Sequence, residues 1–287
     1  MPLLAVPVGK SSWSLEVPSE KFVLSEPQHT THLLNPRAAV VGALEKPLRF
    51  EPFRRALTPD DRVVIVLDEA LPQLVELISG VLEYLVTAGI QPAQVTALSP
   101  HSSTQDWLND LPDVFADLQT EVHHPTDRKR LSYLSATASQ QRVYLNRTLV
   151  DADQVVVLSG RGYDSLHGYS GAEGLLYPYF ADSDSWKSLV AKLSPQLLPD
   201  AVWPTRQEAH EVAWLLGSPF FVQVIEGLGD TVQHVIAGLL PTTTDGTAAA
   251  STAKIGICFQ NRYNVSSVEL KKLLDAGALG VGEVAVQ

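Results

Sequence analysis

The chain has 287 residues, 45% of them hydrophobic and 18% charged, which is too apolar for a disordered protein and long enough for one large core or two modest ones. Lys and Arg number 21 against 32 Asp and Glu, a formal net charge of −11, and the densest basic run is only Arg128-Lys129-Arg130, a short solvated turn. That balance argues against a nucleic-acid partner, whose binding depends on neutralising phosphates, and no window approaches the roughly 20 apolar residues that span a bilayer.

The first 50 residues carry short strand-like pieces, such as Ser14-Leu15-Glu16-Val17, and a helix-compatible stretch from Pro36 to Leu44. Asp60-Asp61 then introduces Val63-Val64-Ile65-Val66-Leu67, a wholly apolar and largely β-branched run that fits a central parallel strand covered on both faces. Pro72 stands where a first helical turn tolerates it. Leu74, Val75, Ile78, Leu82, Leu85 and Val86 recur at helical spacing until Gly89 supplies a stop. Val95-Thr96-Ala97-Leu98 is a second strand, so residues 63–98 form a β-α-β crossover.

A shorter extended piece, Val143-Tyr144-Leu145, precedes a third strand at Val155-Val156-Val157-Leu158. Thr205 with Glu208 three residues on makes a capping box, and Ala209, Val212, Ala213 and Leu216 form the apolar face of a helix that ends at Gly217. Phe220 to Ile225 and Val232 to Ala237, joined across Glu226-Gly227-Leu228-Gly229-Asp230, form a β-hairpin. The loop Thr242-Thr243-Thr244-Asp245-Gly246 leads to a last helix around Val268 to Ala276. The lone cysteine, Cys258, lies in an apolar strand-like run and is expected to be a structural thiol in a reducing compartment. The apolar run at Met1 to Pro7 is too short for a signal peptide, and the expected location is cytoplasmic, with no membrane partner.

Chemistry is expected where the three best strands end, because open parallel sheets bind ligands beyond the carboxyl ends of their strands. Asp68 follows the first strand, His101 the second, and Ser159-Gly160-Arg161-Gly162 the third. Each has a plainer reading. Asp68 suits a helix N-cap before Pro72, His101 a solvated loop histidine, and the glycines and Ser170 of Gly168-Tyr169-Ser170-Gly171-Ala172-Glu173-Gly174 a tight turn. The same segment approximates a nucleophile elbow, which requires a strand directly before the serine. His29 with His32, and His123 with His124, are spaced for metal ligation but lack a cysteine or carboxylate constellation, so no metal ligand is assigned and both pairs are expected at the surface.

The order of these pieces resembles the N-terminal domain of the nickel-pincer lactate racemases. Asp68-Glu69-Ala70-Leu71-Pro72 is similar to that family's Asp-x-x-Arg-Pro, and His101-Ser102-Ser103-Thr104 to its His-Arg-Pro-x-Thr-like loop. Asp164 to Gly174 with Pro178 is similar to its His-x-x-x-Gly-Phe/Tyr-Ser-Gly-x-x-Lys segment and following proline. Val122-His123-His124-Pro125, Val143 to Arg147 before Asp151-Ala152-Asp153, and the segment from Glu208 to Gly238 extend the likeness to roughly residues 10 to 240. The resemblance implies an open, mostly parallel α/β sheet with helices on both faces over residues 1–240. A C-terminal hairpin and helix extension completes the fold, with residues 241–287 as an extension in place of the family's full second domain.

The resemblance further implies an isomerase of a small 2-hydroxy acid, working by hydride transfer to a lysine-borne nickel-pincer nucleotide with two histidines as bases. On that footing His101 is one base, Asp164 or the nearby His167 takes the place of the other, and Asp68, Gly168, Ser170 and Gly171 face cofactor. Several family positions depart from the pattern. The cofactor lysine falls on Gly174, the motif arginine on Leu71 and the nickel histidine near Val190. Covalent tethering is excluded at Gly174, so two functions follow: an altered racemase binding its cofactor noncovalently, or a noncatalytic protein that binds a ligand or a partner. The ligand expected is a small hydroxy acid or nucleotide-like molecule, and a partner chain or homo-oligomer is a further expectation.

Overall fold

The computed structural model describes residues 3–8, 11–16, 32–164, 166–170, 172–192, 203–227 and 230–239. A hairpin comes first, β1 (Leu3–Val8) antiparallel to β2 (Ser11–Glu16). Helix α1 (Pro36–Glu45) is started by Asn35, whose side chain accepts from Ala38 N, and by a proline in the first turn. The expected crossover follows as β3 (Val63–Leu67), α2 (Leu74–Thr87) and β4 (Val95–Ser99). Every residue of β3 is buried, as its unbroken apolar run requires. Pro72 lies in the approach to α2 rather than in its first turn, because Gln73 at φ 50 redirects the chain just before the helix. Gly89 at φ +100 follows the helix end as expected.

Then come β5 (Gln119–Val122), an antiparallel ribbon of β6 (Leu131–Ala136) and β7 (Arg142–Asn146), and the single turn α3 (Arg147–Val150). Strand β8 (Gln154–Gly160) runs into a second ribbon, β9 (Gly162–Asp164) with β10 (Gly168–Ser170), and then into α4 (Ala172–Leu176) and α5 (Ser183–Val190). Helix α6 (Pro204–Leu215) precedes β11 (Phe220–Glu226) and β12 (Val232–Leu239).

The main sheet has six strands in the order β12-β11-β8-β3-β4-β5, all parallel except β12, which is antiparallel to β11. The β11–β12 hairpin is therefore part of the sheet rather than an appendage, because β11 pairs in parallel with β8 from Phe220↔Val156 to Val224↔Gly160. One face packs under α1 and α2, with Val40, Phe53, Ile65, Leu77 and Leu158 among its buried side chains. The opposite face packs under α4, α5, α6 and the first ribbon, around Val66, Val157, Tyr177, Phe180 and Val212. Close contact of α1 with α2 depends on Gly80, where an added Cβ would lie 2.7 Å from Arg37 O and 2.9 Å from Val40 Cβ.

The capping box expected at α6 does not form. Trp203 is the N-cap residue and contributes no side-chain bond. Thr205 Oγ1 donates instead to Leu166 O, and Glu208 accepts from Tyr177 Oη at 3.0 Å and from Lys192. Tertiary partners have taken both side chains of the local motif. The strand around Cys258, the loop at 242–246 and the helix around 268–276 lie outside the described residues, as does the whole extension 241–287. No helix among the described residues is long and apolar enough to cross a membrane.

Candidate functional site

The carboxyl ends of β3, β4, β5, β8 and β11 share one edge of the sheet, and the polar residues gather there. Asp68 N donates to Leu158 O at 3.0 Å, and Asp68 Oδ1 accepts from Ala70 N at 3.2 Å. It shapes the turn out of β3 and does not cap α2, whose N-cap residue is Gln73. A Cβ placed on Gly160 would lie 2.6 Å from Glu226 Oε1, 3.4 Å from Leu71 Cδ2 and 3.7 Å from Asp68 Oδ2. Two carboxylates thus approach bare backbone at the end of β8, and a side chain there would push the Glu226 carboxylate aside. Beside them, Arg161 is fixed through its backbone N to Val224 O at 3.0 Å.

Glu69 ties the β3 exit to the β4 exit. It accepts from Ser103 Oγ at 2.6 Å and from Trp107 Nε1 at 2.9 Å, while Gln105 N donates to Ser103 Oγ at 2.9 Å. These bonds hold the 100–107 loop and leave His101 exposed at its tip. At the end of β5, His123 has no exposed surface, which overturns the surface reading of that residue, whereas His124 and His32 are exposed. The reason is tertiary: His123 Nε2 donates to Ala181 O at 2.9 Å and its ring packs on Phe180. Burial lowers its pKa, and repulsion from His101 and His124 adds to that, so the ring is held neutral, with Nδ1 as a bare acceptor.

His167 is buried in the turn between β9 and β10. In that ribbon Asp164 pairs with Gly168 and Ser170 with Gly162, while Gly171 lies outside the described residues. Ser170 is indeed preceded by a strand, but β10 is a three-residue piece of a separate ribbon rather than a strand of the main sheet. His101 and His167 therefore occupy different strand exits in opposite environments, one solvated and one enclosed.

Glu173, on α4, went unremarked in the sequence. It has no exposed surface, and its Oε1 accepts from Arg206 Nε and from His210 Nε2, both at 3.1 Å and both on α6. Burial alone would raise its pKa, but the hydrogen bond from His210 and the charge of Arg206 prevail and hold it at about 2. Glu226 escaped notice too. It is the carboxyl-terminal residue of a strand parallel to β8, a signal visible once the hairpin is placed within the main sheet.

Taken together, these features define an α/β protein with a polar cleft at the carboxyl edge of a mostly parallel sheet. The chain belongs to the lactate racemase family: the lactate racemase N-terminal domain matches residues 8–186, more than half of its length. In fold it is similar to the lactate racemase apoprotein from Thermoanaerobacterium thermosaccharolyticum, with a TM-score of 0.63 and 17% identity over 87% of this chain and 62% of that one. It is also similar to a protein from Thermotoga maritima, with a TM-score of 0.59 and 12% identity over 76% of this chain and 60% of that one. The chain therefore spans about three-fifths of the length of either structure. No curated protein sequence matches it.

A lysine-tethered nickel cofactor, of the kind the family implies, does not fit the residues present. Gly174, where the motif resemblance puts the lysine, is buried in α4 beside the Glu173 ion pairs. Leu71, where the resemblance puts the arginine, is 5% exposed and belongs to the core beneath α2, and Val190 on α5, near which it puts the nickel histidine, offers no ligand atom. Among the described residues, no group of three or more His, Cys, Asp or Glu side chains is arranged to hold a metal ion.

Proposed function

We propose that this chain is a ligand-binding member of the lactate racemase family, taking a small polar molecule into the cleft above Gly160 without the family's covalent nickel chemistry. The observation that carries this reading is the state of α4. Gly174 supplies no amine, and the neighbouring Glu173 is a buried carboxylate already engaged by Arg206 and His210. A carboxylate and two basic groups locked into a structural cluster leave α4 suited to orienting a bound molecule rather than to carrying a reactive group. In this reading Asp68 and Glu226 present carboxylate oxygens around Gly160, and Glu69 holds the His101 loop over the same edge.

A second reading keeps isomerase activity on a small 2-hydroxy acid, with a noncovalently bound cofactor and His101 plus Asp164 or His167 as bases. It draws on the placement of Asp68 and His101 at successive strand exits, in the order seen in the family's motifs. One experiment separates the two. The protein is purified from a host that makes the nickel-pincer nucleotide, its nickel is quantified, and interconversion of 2-hydroxy acid enantiomers is followed by chiral chromatography. The binding reading expects protein without nickel and without turnover. Stoichiometric nickel with turnover that is lost in His101→Ala would replace it with the isomerase.

A further inference from the structure

The main sheet ends differently at its two edges. At one, the chain bonds to its own edge strand: Leu33 N donates to Val232 O at 2.7 Å and Leu48 N to Ala237 O at 2.8 Å, so segments flanking α1 engage the backbone of β12. At the other, β5 is last in the strand order. His123 N donates to Ser99 O at 2.9 Å, and Ser99 stands opposite Val122. By the alternation of a strand, Gln119, Glu121 and His123 therefore turn their backbone groups to β4, while Thr120 and Val122 turn theirs outward. Among the described residues, Thr120 and Val122 make no backbone hydrogen bond beyond the sheet.

An open edge templates another strand unless lysine, proline or a bulge blunts it. Gln119-Thr120-Glu121-Val122 has neither residue, and its register with β4 is unbroken. Its one charge is withdrawn from the edge: Glu121 accepts from Asn146 Nδ2 at 2.9 Å and from Thr148 Oγ1 at 2.5 Å on its own chain.

Charge is segregated about this strand. Residues 63–127 hold ten Asp and Glu and no Lys or Arg, whereas residues 128–150 hold five Lys and Arg and no Asp or Glu. Asp110, Asp113 and Asp117 lead into β5, and Arg128, Lys129 and Arg130 follow it, all of them exposed. Among the described residues, Asp110, Asp113, Asp117 and Lys129 form no ion pair. Each end also exposes an apolar side chain, Val114 at 71% on the acidic side and Tyr133 at 53% on the basic side.

A second copy of the chain matches all of these features at once. A two-fold axis at Glu121 sets two β5 strands antiparallel and puts Thr120 of each copy opposite Val122 of the other, where outward backbone groups exchange hydrogen bonds. The same axis reverses the strand direction, so the acidic approach of each copy falls beside the basic exit of the other, twice over. A foreign partner of one sign could satisfy only one end. Glu121 would face its own copy across the axis, an unfavourable pair, but Asn146 and Thr148 hold each carboxylate on its own chain.

We infer that β5 is a self-association edge, through which two copies join their sheets antiparallel about a two-fold axis with acidic end on basic end. Exposed opposite charges set partner choice and register more than strength, and β5 is four residues long, so the dimer is concentration-dependent.

Sedimentation velocity on the full chain tests it. At low ionic strength the dimer fraction should rise with protein concentration, and about 1 M sodium chloride, which shortens the screening length to roughly 3 Å, should lower it. Lys129→Glu with Arg130→Glu makes both ends acidic and should give a monomer. Asp113→Lys with Asp117→Lys makes both ends basic and should do the same. Mixing the two variants should restore a dimer, since each supplies at both contacts the sign that the other lacks. Thr120→Pro removes an outward N–H that the fold does not use, so it should abolish the dimer and leave the unfolding midpoint unchanged.

Wild type that stays monomeric at every concentration would overturn the inference; if that monomer binds poly-L-glutamate, the basic segment serves an acidic partner of another kind. A dimer that survives both charge reversals, or survives Thr120→Pro, uses a different surface. Two monomeric variants, folded by circular dichroism, that fail to pair when mixed would refute the opposed ends.

Discussion

Glu173 stands at the centre of a buried cluster of charge. A fully buried carboxylate is tolerable only while Arg206 and His210 hold it, and removing one partner of such a cluster leaves an uncompensated charge in a low-dielectric site. Arg206→Leu should therefore lower the unfolding free energy by about 3–5 kcal/mol, measured by urea denaturation at neutral pH. His101→Ala is the contrasting case. Its side chain is exposed at a loop tip, so stability should change by no more than about 0.5 kcal/mol. A larger loss would show that the loop depends on the imidazole. Gly160→Ala lies between these extremes, because its new methyl would meet Glu226 Oε1 at 2.6 Å, the far end of a flexible side chain that can turn aside, while its other neighbours stay at ordinary contact distance. A destabilisation of about 1 kcal/mol is expected in the same denaturation experiment, at the low end for added volume because the carboxylate can move.

At the scale of elements, the cleft is held by the bond that Glu69 forms between two strand exits. Glu69→Ala would leave the Ser103 hydroxyl and the Trp107 indole without their acceptor, at a cost of about 1–3 kcal/mol. Amide hydrogen exchange should then speed up across residues 100–107 and stay unchanged in β8, whereas uniform acceleration would mean that the bond supports the whole fold. The elements that build this edge differ in how plainly they are written. β3, β4 and β8 are legible because a strand covered on both faces must be an unbroken apolar run, and Val63 to Leu67 is one. β5 is not, since Gln119-Thr120-Glu121-Val122 is an edge strand with no such run. Asp68, His101 and the glycine-rich segment could be placed because they directly follow legible strands. The Glu173 cluster could not, because its partners lie 33 and 37 residues away on a helix whose start matched a capping pattern that the fold then overrode. His123 was hidden for the same reason: only the packing of Phe180 and Ala181 onto the end of β5 turns a polar dipeptide into a buried ring.

For the molecule as a whole, these two buried groups contribute to how stability responds to acid, beside the solvent-accessible carboxylates of Glu45 and Asp153, which their hydrogen bonds with Arg54 and Arg62 also hold low. Both have pKa values below their ordinary ones, so in both cases the unfolded chain binds protons that the folded chain refuses, and acidification favours unfolding. The windows differ. His123 ordinarily titrates near 6.5, and its contribution is complete above that value and lost as pH falls through the lower value it has in the fold. Glu173 ordinarily titrates near 4.5 and in the fold at about 2, so its contribution is lost between those two values. The unfolding midpoint should therefore decline in two stages on acidification from neutral pH, the first belonging to the β5 end of the cleft and the second to α4. His123→Gln should flatten the first stage and leave the second. Glu173→Gln should start less stable at neutral pH and converge with the wild type as pH falls from 4.5 to about 2, because the unfolded carboxyl protonates first and the folded one only at the lower value. Thermal melts of the three proteins between neutral pH and strong acid measure both stages. A first stage that survives His123→Gln would show that His123 is not the group excluded from protonation, and parallel curves for Glu173→Gln and wild type would show that the α4 carboxylate is not held ionised by its partners.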